Sequence, residues 1–252
     1  MKARRLEELT WEELEKLGEN IVIIPIGSVE QHGKHLPLGT DTMVAVALAE
    51  EASSRTGVVV APPLWYGWSP HHMVLPGTVS IRPEVLEELL YDVISSLSEH
   101  GFKHFILING HRIVNVPWMQ LASARAKEDL EVEVYIFDPA YASKEFRFGE
   151  IGHAEEIETS HMMIIRPELV KKEKIVDSGR KEHFFYYVDP SSPRDTLCYL
   201  PSRKHMEKLA KETGGVSGSP SKASYERGKE YHEYLVEKLV KLIEYIRGYG
   251  NG

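Results

Sequence analysis

Four side chains able to hold a metal ion fall within twelve positions of GSVEQHGKHLPLGTD (27–41): Glu30, His32, His35 and Asp41. Carboxylate oxygens and imidazole nitrogens together suit Zn, Mn, Fe or Co better than Ca or Mg. Glu30 and His32 are two apart, so on an extended segment they point the same way. Gly33 lets the chain turn, and Pro37 stiffens its return. Asp41 stands at the mouth of an expected helix, where the helix dipole also favours a carboxylate. Metal ligand and helix cap are both open readings for it. A lone histidine is more often ordinary core or surface than ligand, but two histidines and two carboxylates this close point to a metal.

Three other stretches carry candidate chemistry. NGHRIVN (109–115) follows the apolar run HFILI. A tight turn accounts for Asn109 and Gly110 there, but it does not require His111. In GHAEEIETS (152–160) a helix is expected from about Ala154, with His153 just before it. Glu155 and Glu156 read as surface acids that complement the dipole. Glu158 differs: it neighbours Ile157 on a face shared with His161, and a carboxylate near a buried face needs a partner. A metal would supply one. WYGWSPHHMVLPGT (65–78) places two Trp, Tyr66, His71 and His72 in one loop, which suits a pocket wall or a subunit contact.

The elements around these motifs alternate. Thr10 caps an expected short helix that stops at Gly18. IVIIPIG (21–27), VVVAPPL (58–64), HFILING (104–110) and EVEVYIFD (131–138) read as strands, the first three as buried ones. Helices are expected at 41–57, 82–101, 114–128, 154–168 and 224–248, with Pro117 tolerable only in a first turn. Residues 182–202 read as irregular. Strand and helix in alternation imply an α/β three-layer sandwich, a mostly parallel central sheet flanked by helices. One domain over 1–252 is expected. In such sheets the site lies beyond the carboxyl ends of the strands, and both 27–41 and 109–115 directly follow a strand.

Composition narrows the partners. Of 252 residues, 38 are acidic and 30 basic, a net charge of -8, which argues against nucleic acid or an anionic membrane as partner. KKEKIVDSGRK (171–181) is the one basic stretch of note and reads as solvated surface. Cys198 is the single cysteine, which excludes an intrachain disulfide and fits a reducing cytoplasm. The N-terminal residues show no apolar signal-peptide core. No Gly-x-Ser-x-Gly follows a strand, against a serine hydrolase, and no Gly-x-Gly-x-x-Gly follows the first strand, against dinucleotide binding.

Glu30 to Asp41 (E-x-H-G-x-H-L-P-L-x-T-D), NGH (109–111), H-A-x-x-x-E-T-S (153–160) and GVSGSPSKASYERG (215–228) resemble, in order, the motifs of the creatininase (creatinine amidohydrolase) family. The resemblance implies two divalent ions per chain, Zn or Mn, homohexamers, and hydrolysis of a cyclic amide or related small-molecule bond. Carried over, Glu30 and His111 bind one metal, His32 the other, and Asp41 bridges them. Glu158 is the remaining carboxylate ligand and His153 a proton shuttle. His35, Trp68, His71 and Arg112 are candidates for substrate contacts. Creatininase has a ligating Glu two residues after the NGH histidine, where this chain has Ile113. Other members act on formylated pyrimidine nucleotides, peptides and oxidised inositols.

The expected mechanism is attack by a metal-bridging hydroxide on a carbonyl, with His153 protonating the leaving group. Two alternatives remain at this level: a metal-dependent C–C hydrolase that opens a cyclic polyol ketone, and a non-catalytic metal-binding protein that keeps the fold.

Overall fold

Five parallel strands, ordered β1-β3-β2-β4-β5, form the centre of the structure, a computed structural model that describes residues 1–112, 114–142, 152–178 and 202–249. The strands are β1 (Arg4–Arg5), β2 (Ile21–Ile26), β3 (Val59–Val60), β4 (His104–Asn109) and β5 (Glu133–Phe137). The helices are α1 (Trp11–Leu17), α2 (Thr40–Thr56), α3 (Pro83–Glu99), α4 (Val116–Leu130), α5 (Pro139–Ala142), α6 (Glu156–Ile165), α7 (Arg203–Thr213) and α8 (Tyr225–Tyr249).

β2 shows why the strands carry apolar runs. Every residue in it is buried, because both faces of the sheet are covered. Ile21 and Ile23 face the layer that contains α2, α6 and α8, while Val22, Ile24 and Ile26 face α3 and α4. Each such aliphatic side chain contributes about 1.5–3 kcal/mol when fully buried. The result is a three-layer α/β/α sandwich.

Most boundaries follow local chemistry. Thr10 and Glu13 make a reciprocal capping box at α1, and Gly18 ends it with φ 55°. Pro117 lies in the first turn of α4. Differences from the sequence reading have physical causes too. The expected strand 58–64 is regular only at Val59–Val60, because Pro62 and Pro63 cannot donate to a ladder. β1 is a two-residue charged edge strand with no apolar pattern to announce it. α7, absent from the sequence reading, is capped by Ser202, which accepts from the His205 N–H, and ends at Gly214. The irregular stretch expected at 182–202 lies almost wholly outside the described residues, with Ile113 and Cys198.

The wiring makes a crevice. From β2 the chain crosses through α2 to β3; from β4 it crosses through α4 on the opposite face to β5. β2 and β4 are neighbours, paired from Ile21↔His104 to Ile26↔Asn109, and their outgoing connections diverge. That is a topological switch point, the usual place for a ligand in an open α/β sheet.

Candidate metal centre

At this switch point β2 ends at Ile26 and β4 at Asn109, and the two following loops meet. A Cβ on Gly110 would lie 2.0 Å from the Asp41 carbonyl oxygen, so only glycine lets the start of α2 rest on the end of β4. That contact puts Asp41 beside His111. The Asp41 carboxylate does not cap α2. Its Oδ2 accepts from His111 Nδ1 at 2.9 Å and from the Ser28 hydroxyl at 2.8 Å, and its Oδ1 lies 3.0 Å from His32 Nε2.

Glu30 is 1% exposed and is surrounded by imidazoles. Its Oε2 lies 3.3 Å from His111 Nε2, and its Oε1 lies 3.3 Å from His72 Nε2 and 3.6 Å from His153 Nδ1. Oε2 is nonetheless buried without an aligned hydrogen bond. A buried carboxylate oxygen without a donor costs on the order of 1–3 kcal/mol or more, and a cation would repay it. The donors fall into three overlapping groups, each with its ligand atoms within 4.8 Å of one another: Glu30, Asp41 and His111; His32, His153 and Glu158; Glu30, His72 and His153. This donor set fits a divalent transition metal.

Ring orientation follows from the hydrogen bonds. His32 Nδ1 donates to the Glu30 carbonyl at 3.2 Å, which leaves Nε2 facing Asp41 and Glu158. The Gln31 side-chain oxygen accepts from the Gly33 N–H at 3.0 Å, so its nitrogen faces His72 Nδ1 at 2.8 Å and donates to it. His72 therefore carries its hydrogen on Nε2, toward Glu30. His153 Nε2 donates to the Gln31 carbonyl, so its Nδ1 lone pair points at Glu30.

Charges are strongly coupled here. Burial disfavours the imidazolium of His32, but the Asp41 carboxylate, with Glu158 and Glu30, outweighs it and pushes the pKa up to about 10. His111 is likewise penalised by burial, yet Glu30 and Asp41 raise it to about 9. Burial alone would raise Asp41, but its two imidazolium partners hold it well below the usual carboxylate range. Burial lifts Glu30 to about 7 against the pull of His111. His72 and His153 are held neutral by burial and by positive neighbours, well below the usual histidine value. This is a set of protons and charges arranged for a metal to replace.

A cavity of about 130 Å³ opens over these groups, lined by Glu30, Asp41, His71, His72, His111, Arg112, Val114, Gly152, His153 and Glu158. That is well under the roughly 300–1,000 Å³ typical of drug-sized ligands, and eight of the ten lining residues are charged or histidine.

The family model for creatininase, described as creatinine amidohydrolase, matches residues 7–243. The chain belongs to the creatininase family. It is 31% identical over 245 residues to 3-dehydro-scyllo-inosose hydrolase of Thermotoga maritima, covering 90% of this chain and 78% of that protein. It is 28% identical to creatinine amidohydrolase of Pseudomonas putida, covering 94% of each. Among solved structures, a manganese creatininase superposes with TM-score 0.73 at 26% identity, covering 96% of this chain and 98% of that one. A Zn–Zn creatininase variant gives 0.72 at 27% identity, with the same coverage. The relatives are hydrolases, and this chain is a hydrolase of their family. The manganese and zinc forms, with the donor groups described above, support divalent metal use.

Within this creatininase-family fold, Glu30, His32, Asp41, His111, His153 and Glu158 converge, as do His71 and Arg112 at the cavity wall. His35 and Trp68 are placed elsewhere. His35 is fully buried with Nε2 on the Thr159 hydroxyl at 2.9 Å, and Trp68 packs its ring against the α3–α4 core while its carbonyl faces His111 at 3.3 Å. Glu155 and Glu156 are not surface acids; they are 0% and 7% exposed. Glu155 caps α6, and Glu156 pairs with Arg227 at 3.0 Å. His72, read only as part of a loop that could wall a pocket, touches Glu30. Its neighbour His71 gave no local signal to separate the two.

Proposed function

We propose that the chain is one hydrolytic domain that opens a small cyclic amide or related carbonyl substrate with two divalent ions, Zn or Mn, bound per chain. Convergence of three imidazoles on the buried Glu30 carboxylate, one oxygen of which has no hydrogen-bond donor, with the Asp41 carboxylate in the same donor group, carries this reading. Glu30, Asp41 and His111 would hold one ion, and His32 with Glu158 the other, Asp41 lying between them. Bound there, a divalent ion would polarise a carbonyl and lower the pKa of a water toward about 7.

The chain's own groups supply the remaining chemistry. His32 is fixed by the Glu30 carbonyl and His72 by Gln31, so the carboxylates are held before substrate arrives. His153 is neutral, its Nε2–H is committed to the Gln31 carbonyl, and its Nδ1 lone pair faces the cavity. It takes a proton from the attacking water and returns it to the leaving nitrogen as the C–N bond breaks. His71 and Arg112 line the wall and would orient the substrate.

The 31% identity to 3-dehydro-scyllo-inosose hydrolase favours one second reading, opening of an oxidised cyclitol ring at a C–C bond. His153 would then protonate carbon. We further propose that the chain works in a reducing cytoplasm as a homo-oligomer. Its single cysteine supports the first point. The exposed Trp65, Tyr66 and Met73 on the loop before α3 are a surface that such assembly would cover.

The test is metal content per chain with hydrolysis of a panel: creatinine, formamido compounds, cyclic amides and oxidised inositols. About two ions, activity abolished by a chelator, and one panel hit are expected. A well-folded protein that takes up no metal would overturn the reading.

A further inference from the structure

Arg112 is a cation already inside the site. Its side chain is 11% exposed, and Nη2 reaches the Glu155 carboxylate at 2.9 Å, the Gly152 carbonyl at 3.3 Å, and the Glu158 carboxylate. Glu155 is itself fully buried and anchored, with its carboxylate on the N–H groups of Ile157 and Glu158 at the start of α6. The guanidinium is therefore positioned by one fixed acid and held against a second. That second acid is Glu158, whose other oxygen accepts from the Ala154 N–H at 2.6 Å and lies 3.8 Å from His32 Nε2. Both oxygens of Glu158 are engaged without any added cation.

The two candidate ion positions are thus unequal. Among the described residues, Glu30, Asp41 and His111 have no guanidinium or ammonium group at ion-pair distance, and the side chains that pair with the two carboxylates are imidazoles, whose nitrogens are themselves metal donors. Glu158 meets a guanidinium, which cannot be deprotonated in a protein. Position 113 is isoleucine and supplies no carboxylate in place of Glu158.

We propose that Arg112 competes with the second divalent ion for Glu158, so that this chain fills one metal position tightly and the other only when Arg112 releases that carboxylate. Arg112 is a positioning residue in this account, acting through Glu158. The inference rests on the two-ion reading above and goes beyond it by ranking the two positions.

Calorimetric titration of metal-stripped full-length protein with Zn(II), and separately Mn(II), tests it without reference to activity. The native chain should bind one ion tightly and a second on the order of 100-fold more weakly, the scale set by breaking a buried ion pair. Arg112→Met should bring the two affinities within about tenfold. Arg112→Lys keeps a charge but cannot span both acids, and should fall between. Glu155→Gln still caps the helix but removes one acidic partner of Arg112 and leaves Glu158, so it should weaken the second ion further. A merely structural role would not move the pair of variants in opposite directions. Two equally tight ions in the native chain would overturn the inference and leave the two-ion reading intact. A ratio unmoved in Arg112→Met or Glu155→Gln would overturn it as well. No ion bound by any form would remove both. If Arg112→Met does not fold, Arg112→Lys and Glu155→Gln still decide the question.

Discussion

The side-chain amide of Gln31 lies 2.8 Å from His72 Nδ1, on the far side of the imidazole from Glu30. This contact fixes which nitrogen of His72 carries the hydrogen that faces the carboxylate. Gln31→Leu removes it, frees the tautomer and loosens Glu30. Outer partners of this kind change metal affinity by about 10–100-fold. A loss of that size in competition with a chelator, with an unchanged circular dichroism spectrum, is expected; unchanged affinity would remove His72 from the site's machinery.

Asp41 pairs with His32 and His111, the two buried imidazoles whose pKa its carboxylate helps to raise to about 10 and about 9. Asp41→Asn keeps the shape and deletes the charge. Metal content should drop below one ion per chain, and kcat/KM by on the order of 100-fold or more, at least the scale of an outer-partner loss. Full metal content with full activity would disprove its place between the ions.

His153 separates proton transfer from metal holding. As a proton carrier, its replacement by Ala should cost about 10²–10⁴ in kcat with metal content preserved. A parallel loss of bound metal would instead make it a ligand, as one of the donor groups allows.

Metal-free protein should lose stability as pH rises from about 7 to 10. His32 and His111 have folded-state values raised to about 10 and about 9. A raised histidine contributes stability that is full below its unfolded value near 6.5 and is lost as pH climbs through the folded value. His72 and His153, held low, act in the opposite sense only near and below their unfolded value, so they do not cancel the effect above pH 7. Thermal melts of chelated protein across this window should show Tm falling. Metal addition at pH 7 should release protons from these two imidazoles, measurable in weak buffer.

Gly110→Ala tests the contact between α2 and β4. The new methyl meets the Asp41 carbonyl 2.0 Å away. Backbone must shift, at a cost of about 1–3 kcal/mol or more. The expected readout is a lower denaturation midpoint together with weaker metal binding, because the displaced element carries Asp41.

The sequence by itself determined the layers and pointed to the strand ends where the candidate site lies. Apolar runs too short for helices, ended by Gly or followed by dense polar motifs, mark β2 and β4, and parallel sheets place ligands at such strand ends. The carboxylates and imidazoles of 27–41 and 109–111 are legible because they lie within a few residues of those ends. Three things only the tertiary structure decided. His72 reaches Glu30 across forty-two positions, and nothing local distinguishes it from His71. Glu155 reads as a surface acid by its place at a helix start, yet Arg112 draws it into the interior, since a buried carboxylate needs a charged partner more than it needs water. His35 sits inside the motif but turns to Thr159, 124 positions away, because Gly33 and Pro37 set a local turn whose far side faces α6. Strand ends follow from periodicity along the chain; the pairing of buried charges depends on which distant segments the fold brings within reach.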